Sequence, residues 1–363
     1  MSLLYHFYSL TSIGYNSRMH ESLLYKKLDF PLVECQLCHH YCRLSDNQVG
    51  ICGVRRNGQG RLYSLNYGRV IAEAVDPIEK KPLFHFLPGS SAYSIASVGC
   101  NLRCGNCQNW QISQYGKTPE TKNKKQILIP GYEVTAQEIV QRALESSCQS
   151  IAYTYTEPTI FFEFALACMR EAKLRNLKNV WVSNGYMTNE CLTEILPYLD
   201  AMNVDLKFFS EKVYLENCGC RLQPVLDNLK YLVKQPLTLE ITTLIVPGLT
   251  NLDDQPEKIA KFIAQELSTD VPWHISKFSS DISYKMHDRQ DTPENLLDNI
   301  YQLGRKAGLK YVYLGNISQH QSESTYCPQC GAMVIWRNGY QIERRDSNGS
   351  CPNCHYHLPL KID

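Results

Sequence analysis

Eleven of the sixteen cysteines fall into three tight clusters, and the middle cluster constrains the fold most. Cys100-x3-Cys104-x2-Cys107 directly follows the apolar run Tyr93 to Val98, which reads as a buried strand. A strand ending in such a loop wraps three thiolates around one metal centre. Three ligands from so short a loop suit a cubane [4Fe–4S] cluster, which Cys thiolates ordinarily hold, and they leave the fourth iron open to a small molecule. The competing reading is a zinc site that borrows a distant fourth ligand, although structural zinc loops favour paired C-x2–4-C knuckles.

The other two clusters lie on either side. Cys35, Cys38, Cys42 and Cys52, flanked by Gly50 and Gly53, can close around one metal. A structural zinc and an auxiliary iron–sulfur cluster both take four thiolates, so either fits. Cys327-x2-Cys330 and Cys351-x2-Cys354 are paired knuckles with twenty residues between them, a zinc-ribbon pattern. Arg337, Arg344 and Arg345 in that segment could meet nucleic acid, but a net charge of +1 favours a solvated face on a structural module. The remaining Cys148, Cys168, Cys191, Cys218 and Cys220 read as small buried hydrophobes. Clustered thiols in a long chain favour metal binding in a reducing cytoplasm over disulfides. No apolar run approaches the length of a membrane span.

Along the chain, residues 1–18 form an extension, disordered or a misassigned start, and residues 19–88 a small four-cysteine metal module. Residues 61 to 75 alternate as two short strands around Tyr67-Gly68. From Tyr93 the chain alternates strand and helix, with a polar connection at about 115–125 and a capping box at Thr135-x2-Glu138. Strict alternation implies parallel strands with right-handed crossovers. About six units predict an open partial (β/α)6 TIM-like barrel over residues 89–318, followed by the ribbon at 325–363. In such a fold the ligand site lies at the carboxyl ends of the strands. The expected strand ends are polar there: Thr154-Tyr155-Thr156-Glu157-Pro158, Ser183-Asn184, Asp205-Leu206-Lys207 and His274.

The cysteine spacing resembles the signature of the radical S-adenosylmethionine (SAM) enzymes. Glu79-Lys80-Lys81-Pro82-Leu83-Phe84-His85-Phe86 and Cys107-Gln108-Asn109-Trp110-Gln111-Ile112-Ser113 resemble the AmmeMemoRadiSam system radical SAM enzyme. That family is related to the pyruvate formate-lyase activating enzymes, and the resemblance runs from about Met19 to near the C-terminus. It implies the partial barrel, a [4Fe–4S] cluster and SAM. An open iron would chelate the amine and carboxylate of SAM, and a reduced cluster would cleave it to methionine and a 5′-deoxyadenosyl radical that abstracts hydrogen from a substrate. Thr156-Glu157-Pro158 resembles the family's Gly-Gly-Glu-Pro motif, which implies that Glu157 meets the methionyl amine, with Tyr155 and Thr156 in place of glycines. Lys207 resembles the residue that meets the SAM carboxylate, with Asp205 in the same polar network. Ser183 and Asn184 correspond to a ribose-side motif. His274 resembles a ribose-contacting residue, the alternative being a satisfied core histidine. Asn106 stands where many relatives carry an aromatic. The resemblance also implies a flavodoxin- or ferredoxin-like electron donor and association with Memo-like and AMMECR-like proteins. Two competing functions are a glycyl-radical activating enzyme and a non-catalytic nucleic-acid-binding protein.

Overall fold

The computed structural model describes residues 19–117, 128–317 and 321–363. The expected extension at 1–18 and most of the polar connection at 115–125 lie outside them. The main sheet has eight strands in sequential order. We number them β1 (Ala72–Pro77), β2 (Ser91–Ala96), β3 (Ser150–Tyr153), β4 (Lys178–Ser183), β5 (Ala201–Asp205), β6 (Thr238–Ile245), β7 (Trp273–Lys277) and β8 (Val312–Gly315). β2 to β8 are all parallel to their neighbours. β1 is antiparallel to β2, from Ala72 opposite Ala96 to Pro77 opposite Ser91. The sheet thus holds seven parallel strands joined by six crossovers, and an antiparallel edge strand that alternation alone did not predict. Residues 61–75 do not form one hairpin. Arg61–Ser64 pairs with Arg55–Gly58 and His20–Glu21, whereas β1 joins the main sheet.

The crossovers carry six principal helices: α1 (Ala136–Glu145), α2 (Phe162–Leu174), α3 (Asn189–Ile195), α4 (Gln223–Leu232), α5 (Gln255–Phe262) and α6 (Glu294–Lys306). α1 opens on the expected capping box: Glu138 N–H donates to Thr135 Oγ1 at 3.2 Å, and Thr135 N–H donates to Glu138 Oε2 at 2.7 Å. Alternate strand residues such as Ile95, Tyr153, Trp181, Met202, Ile241 and Trp273 share one apolar core with Ile139, Phe162 and Leu229 of the helices. The opposite residues Ala92, Ala152, Val180 and Ala201 are small because Ile78, Leu83, Phe86 and Leu87 pack onto them. The segment after β1 therefore fills the N-terminal end of that face, leaving the carboxyl end for loops.

The N-terminal module packs directly on the loop after β2. Gly99 has φ +100°, and a Cβ there would lie 2.8 Å from Cys52 O and 2.9 Å from Val54 Cγ1. Gly99→Ala meets both a left-handed backbone and an immovable carbonyl, so it should cost about 2 kcal/mol or more. Chemical denaturation checks the stability. No helix among the described residues is long and apolar enough to cross a membrane.

Candidate functional site

The loop 97–109 leaves the carboxyl end of β2 and is held from several sides. Arg103 N–H donates to Cys218 O at 2.9 Å, and Lys285 N–H donates to Gly105 O at 2.8 Å. Asn217 accepts from Gly105 N–H at 3.0 Å and donates to Asn106 Oδ1 at 2.8 Å. Asn109 donates to Tyr155 O at 2.8 Å. Trp110 stacks on Tyr284 with ring centroids 5.3 Å apart, so the segment after β7 folds over the loop.

Inside this frame the thiols accept local hydrogen bonds. Cys100 Sγ accepts from Leu102 N–H at 3.3 Å, and Cys107 Sγ lies 3.2 Å from Ser113 Oγ. Burial pushes the Cys100 thiol up to about 12. The hydrogen bond with Cys218, followed by burial, raises Cys104 well above the ordinary thiol range. A metal held there would have to displace those protons, because the ligand form is the thiolate.

Glu157 closes one side. It follows β3, is 2% exposed, and accepts from Thr159 N–H at 3.1 Å, Ser183 Oγ at 2.8 Å and Asn184 N–H at 2.8 Å. Burial pushes its carboxyl upward, and these donors oppose the shift. Asn184 Nδ2 donates to Asn101 Oδ1 at 2.8 Å and lies 3.9 Å from Cys100 Sγ. Glu157, Ser183, Asn184 and Cys100 thus belong to one network. Thr156 Oγ1 donates to Ser97 O at 2.7 Å. Tyr155 sits at φ +62°, the left-handed region glycine favours, at a cost of about 1–2 kcal/mol for a side-chain residue. Its hydroxyl donates to Asp76, and Lys81 Nζ lies 4.5 Å from its ring centroid. The backbone geometry of a glycine is therefore kept without the glycine.

Lys207 closes the other side. Its Nζ donates to Asp205 Oδ2 at 2.7 Å, and its N–H donates to Tyr214 Oη at 3.0 Å. Burial works against the ammonium, but Asp205 and the neighbouring Cys104 and Cys218 sulfurs hold its pKa well above the ordinary value. A carboxylate on the Cys100 side and an ammonium on the Cys104 side frame the loop.

His274 is placed elsewhere. It is the second residue of β7, not its end, and its Nε2 lies 2.7 Å from Glu240 Oε2. Glu240 also accepts from the N–H groups of Phe84 and His85, so this pair belongs to the N-terminal end of the sheet. Unexpected neighbours of the loop are Asn217, Cys218 and Tyr284. By sequence Cys218 reads as a small buried hydrophobe, and only its tertiary contact with Cys104 distinguishes it.

The N-terminal cysteines Cys35, Cys38, Cys42 and Cys52 line one cavity together with His40, Arg55, Asn101 and Ile160. In the C-terminal module, the strands Thr325–Tyr326, Met333–Asn338 and Gln341–Arg344 stand between two turns whose four cysteines, Cys327, Cys330, Cys351 and Cys354, have Sγ atoms all within 4.8 Å of one another, a group that could hold a metal ion. Arg337 is no surface group: it is 2% exposed, donates to Phe84 O at 2.7 Å and lies over the Phe84 ring at 4.3 Å, anchoring the module to the sheet. Arg344 and Arg345 pair with Asp346 and Glu343.

The Radical SAM superfamily model matches residues 94–263. An uncharacterized protein of Methanocaldococcus jannaschii is 42% identical over 319 residues, spanning 88% of this chain and 92% of that protein. The pyruvate formate-lyase 1-activating enzyme of Escherichia coli K12 is 23% identical over 168 residues, 45% of this chain and 65% of that enzyme. A radical SAM methyltransferase from Sphaerobacter thermophilus superposes with a TM-score of 0.47 at 12% identity, covering 68% of this chain and 71% of that one. The chain belongs to the Radical SAM superfamily, with activating enzymes among its relatives.

Proposed function

We propose that the protein is a radical SAM enzyme of the AmmeMemoRadiSam type, with Cys100, Cys104 and Cys107 holding a [4Fe–4S] cluster at the mouth of a partial (β/α) barrel. The observation that carries this reading is the framing of three thiols by Glu157 and Lys207 at the carboxyl ends of β3 and β5. When bound, the cluster supplies one electron for reductive cleavage of SAM to a 5′-deoxyadenosyl radical that abstracts hydrogen from a substrate. The chain's own part is to bind and orient SAM and to exclude water. Glu157 accepts from the methionyl ammonium, and Lys207, kept protonated beside Asp205, meets the carboxylate. Thr156, Ser183 and Asn184 fix that rim, and Tyr155 turns the backbone toward it. The segment carrying Tyr284 and Lys285 covers the loop and is positioned to shield the radical. The C-terminal four-cysteine group suits zinc, because its sulfurs stand 3.5 and 3.6 Å apart, near the roughly 3.8 Å edge of a tetrahedral zinc tetrathiolate. A low-potential flavodoxin- or ferredoxin-like protein supplies the electron.

Anaerobic protein carrying iron and sulfide, given dithionite and SAM, should release 5′-deoxyadenosine, measured by chromatography with mass detection. Cys104→Ala should abolish that release while the C-terminal metal content stays unchanged. Cluster-loaded wild-type protein that yields no 5′-deoxyadenosine would sink the reading. A second reading, a glycyl-radical activating enzyme, draws support from the similarity to the pyruvate formate-lyase 1-activating enzyme. Transfer of deuterium from a partner's labelled glycine into 5′-deoxyadenosine separates it from the first.

A further inference from the structure

We propose that the N-terminal cradle of Cys35, Cys38, Cys42 and Cys52 is a second iron–sulfur site rather than a single-zinc site, and that it is electronically coupled to the centre at Cys100, Cys104 and Cys107. The coupling rests on the radical SAM reading of the Cys100 loop; the metal assignment does not.

Sulfur spacing is the first argument. Four thiolates bound to one tetrahedral ion at about 2.3 Å stand about 3.8 Å apart. The C-terminal cysteines match that size, all four sulfurs lying within 4.8 Å of one another. Among the described residues, no other group of three or more His, Cys, Asp or Glu ligand atoms is so compact. Cys35, Cys38, Cys42 and Cys52 instead stand around a cavity. A multi-iron core with its own sulfides needs such a space between its thiolates, and a lone zinc does not. The three thiols of the loop after β2 likewise do not all lie within 4.8 Å of one another.

Unpaired donors are the second argument. Arg55 and Asn101 both line this cavity and each is 1% exposed. Arg55 Nε and Asn101 Nδ2 are buried without a hydrogen-bond partner. Buried N–H groups of this kind are rarely left orphaned. A cluster answers them, because it presents bridging sulfides as acceptors in addition to its thiolates, and donors to those sulfurs tune its potential.

Adjacency is the third. Asn101 borders both sites: it follows Cys100 in sequence and lines the N-terminal cavity. Its carbonyl accepts from His40 Nε2 at 2.8 Å, and His40 lies between Cys38 and Cys42. The redox step is a single electron. A reduced ferredoxin- or flavodoxin-class donor loses it, the N-terminal centre gains it and passes it to the centre at Cys100, Cys104 and Cys107, and Asn101 borders both.

The test uses full-length protein made anaerobically with iron, sulfide and zinc all available. Wild type should carry about eight irons and about one zinc per chain. The Cys100→Ala/Cys104→Ala/Cys107→Ala variant leaves the cradle untouched and should keep about four irons with matching sulfide and a reducible paramagnetic centre. Cys38→Ala/Cys42→Ala should lose that centre and keep the other. In the dithionite-reduced wild type, the two paramagnetic resonance signals should broaden and relax faster than in either variant. Two zincs and no iron in the triple variant would overturn the metal assignment, whatever the second variant's folding. Retained iron with wild-type signals identical to the sum of the variants would overturn the coupling. Eight irons with no 5′-deoxyadenosine would leave the cradle standing and fell the SAM reading instead; two zincs with 5′-deoxyadenosine release would do the reverse.

Discussion

Glu163→Gln is expected to destabilise the protein by about 3–5 kcal/mol, because it leaves a buried guanidinium without its counter-charge. Arg55 Nη2 lies 2.5 Å from Glu163 Oε2 and its Nη1 lies 3.0 Å from Oε1, and both side chains are at most 2% exposed. The same pair takes in the start of the described chain. Ser22 Oγ accepts from Arg55 at 2.7 Å, and Leu23 N–H donates to Glu163 at 3.1 Å. One carboxylate on α2 therefore clamps two segments of the N-terminal module to the sheet. Glutamine keeps the shape and one acceptor but removes the charge, so packing loss contributes little to the expected change. Urea denaturation measures it. An Arg55→Met/Glu163→Leu double variant should recover most of the loss, since a buried pair replaced by apolar groups is often close to neutral. A single-variant loss below about 1 kcal/mol would show that the pair does not clamp the module.

The parts legible in the sequence share one property: their meaning is local. The spacing of Cys100, Cys104 and Cys107 needs only one loop, and Thr135 with Glu138 needs only one helix start. Glu157, Ser183, Asn184 and Lys207 come to one edge because parallel strands alternate with helices and send their carboxyl ends there. The parts that stayed hidden depend on which strands meet. β1 is partly exposed, and its place at the sheet edge is set by pairing with β2 rather than by its own pattern. Cys218 looks like any core thiol until the turn after Tyr214 brings it against Cys104. For His274 the sequence leaves a ribose contact and a satisfied core histidine both open. A polar residue near a strand end suggests a ligand contact, but β7 runs on to Lys277, and Glu240 on the neighbouring strand already satisfies the imidazole.

Acidification should destabilise the fold through His85, which lies in the segment filling the N-terminal end of the sheet. Its ring is buried, with Nε2 2.7 Å from Tyr313 Oη and Nδ1 3.3 Å from Pro359 O. The neutral tautomer that donates from Nδ1 leaves Nε2 to accept from Tyr313, and a second ring proton would break that match. Burial, with smaller contributions from Arg337 and His274 and against the pull of Glu240, holds the imidazole down to about 4. In the unfolded chain it titrates near 6.5. Between those values the unfolded state takes up a proton that the folded state refuses, so stability falls as pH falls. The slope approaches about 1.4 kcal/mol per pH unit, giving a loss of about 2 kcal/mol from pH 6.5 to 5 and about 3 kcal/mol by pH 4. Above about pH 7.5 both states are neutral and His85 adds no slope. Urea midpoints across this range should show the decline, and His85→Phe should flatten it by that amount. Equal slopes in the two proteins would mean that His85 is not the group responsible. The same loss should loosen the C-terminal module first, because Lys361 N–H donates to His85 O at 2.8 Å and Tyr313 Oη lies 2.9 Å from Thr325 Oγ1. Faster exchange of amides 325–361 than of β3 and β4 at pH 5 is the corresponding signature.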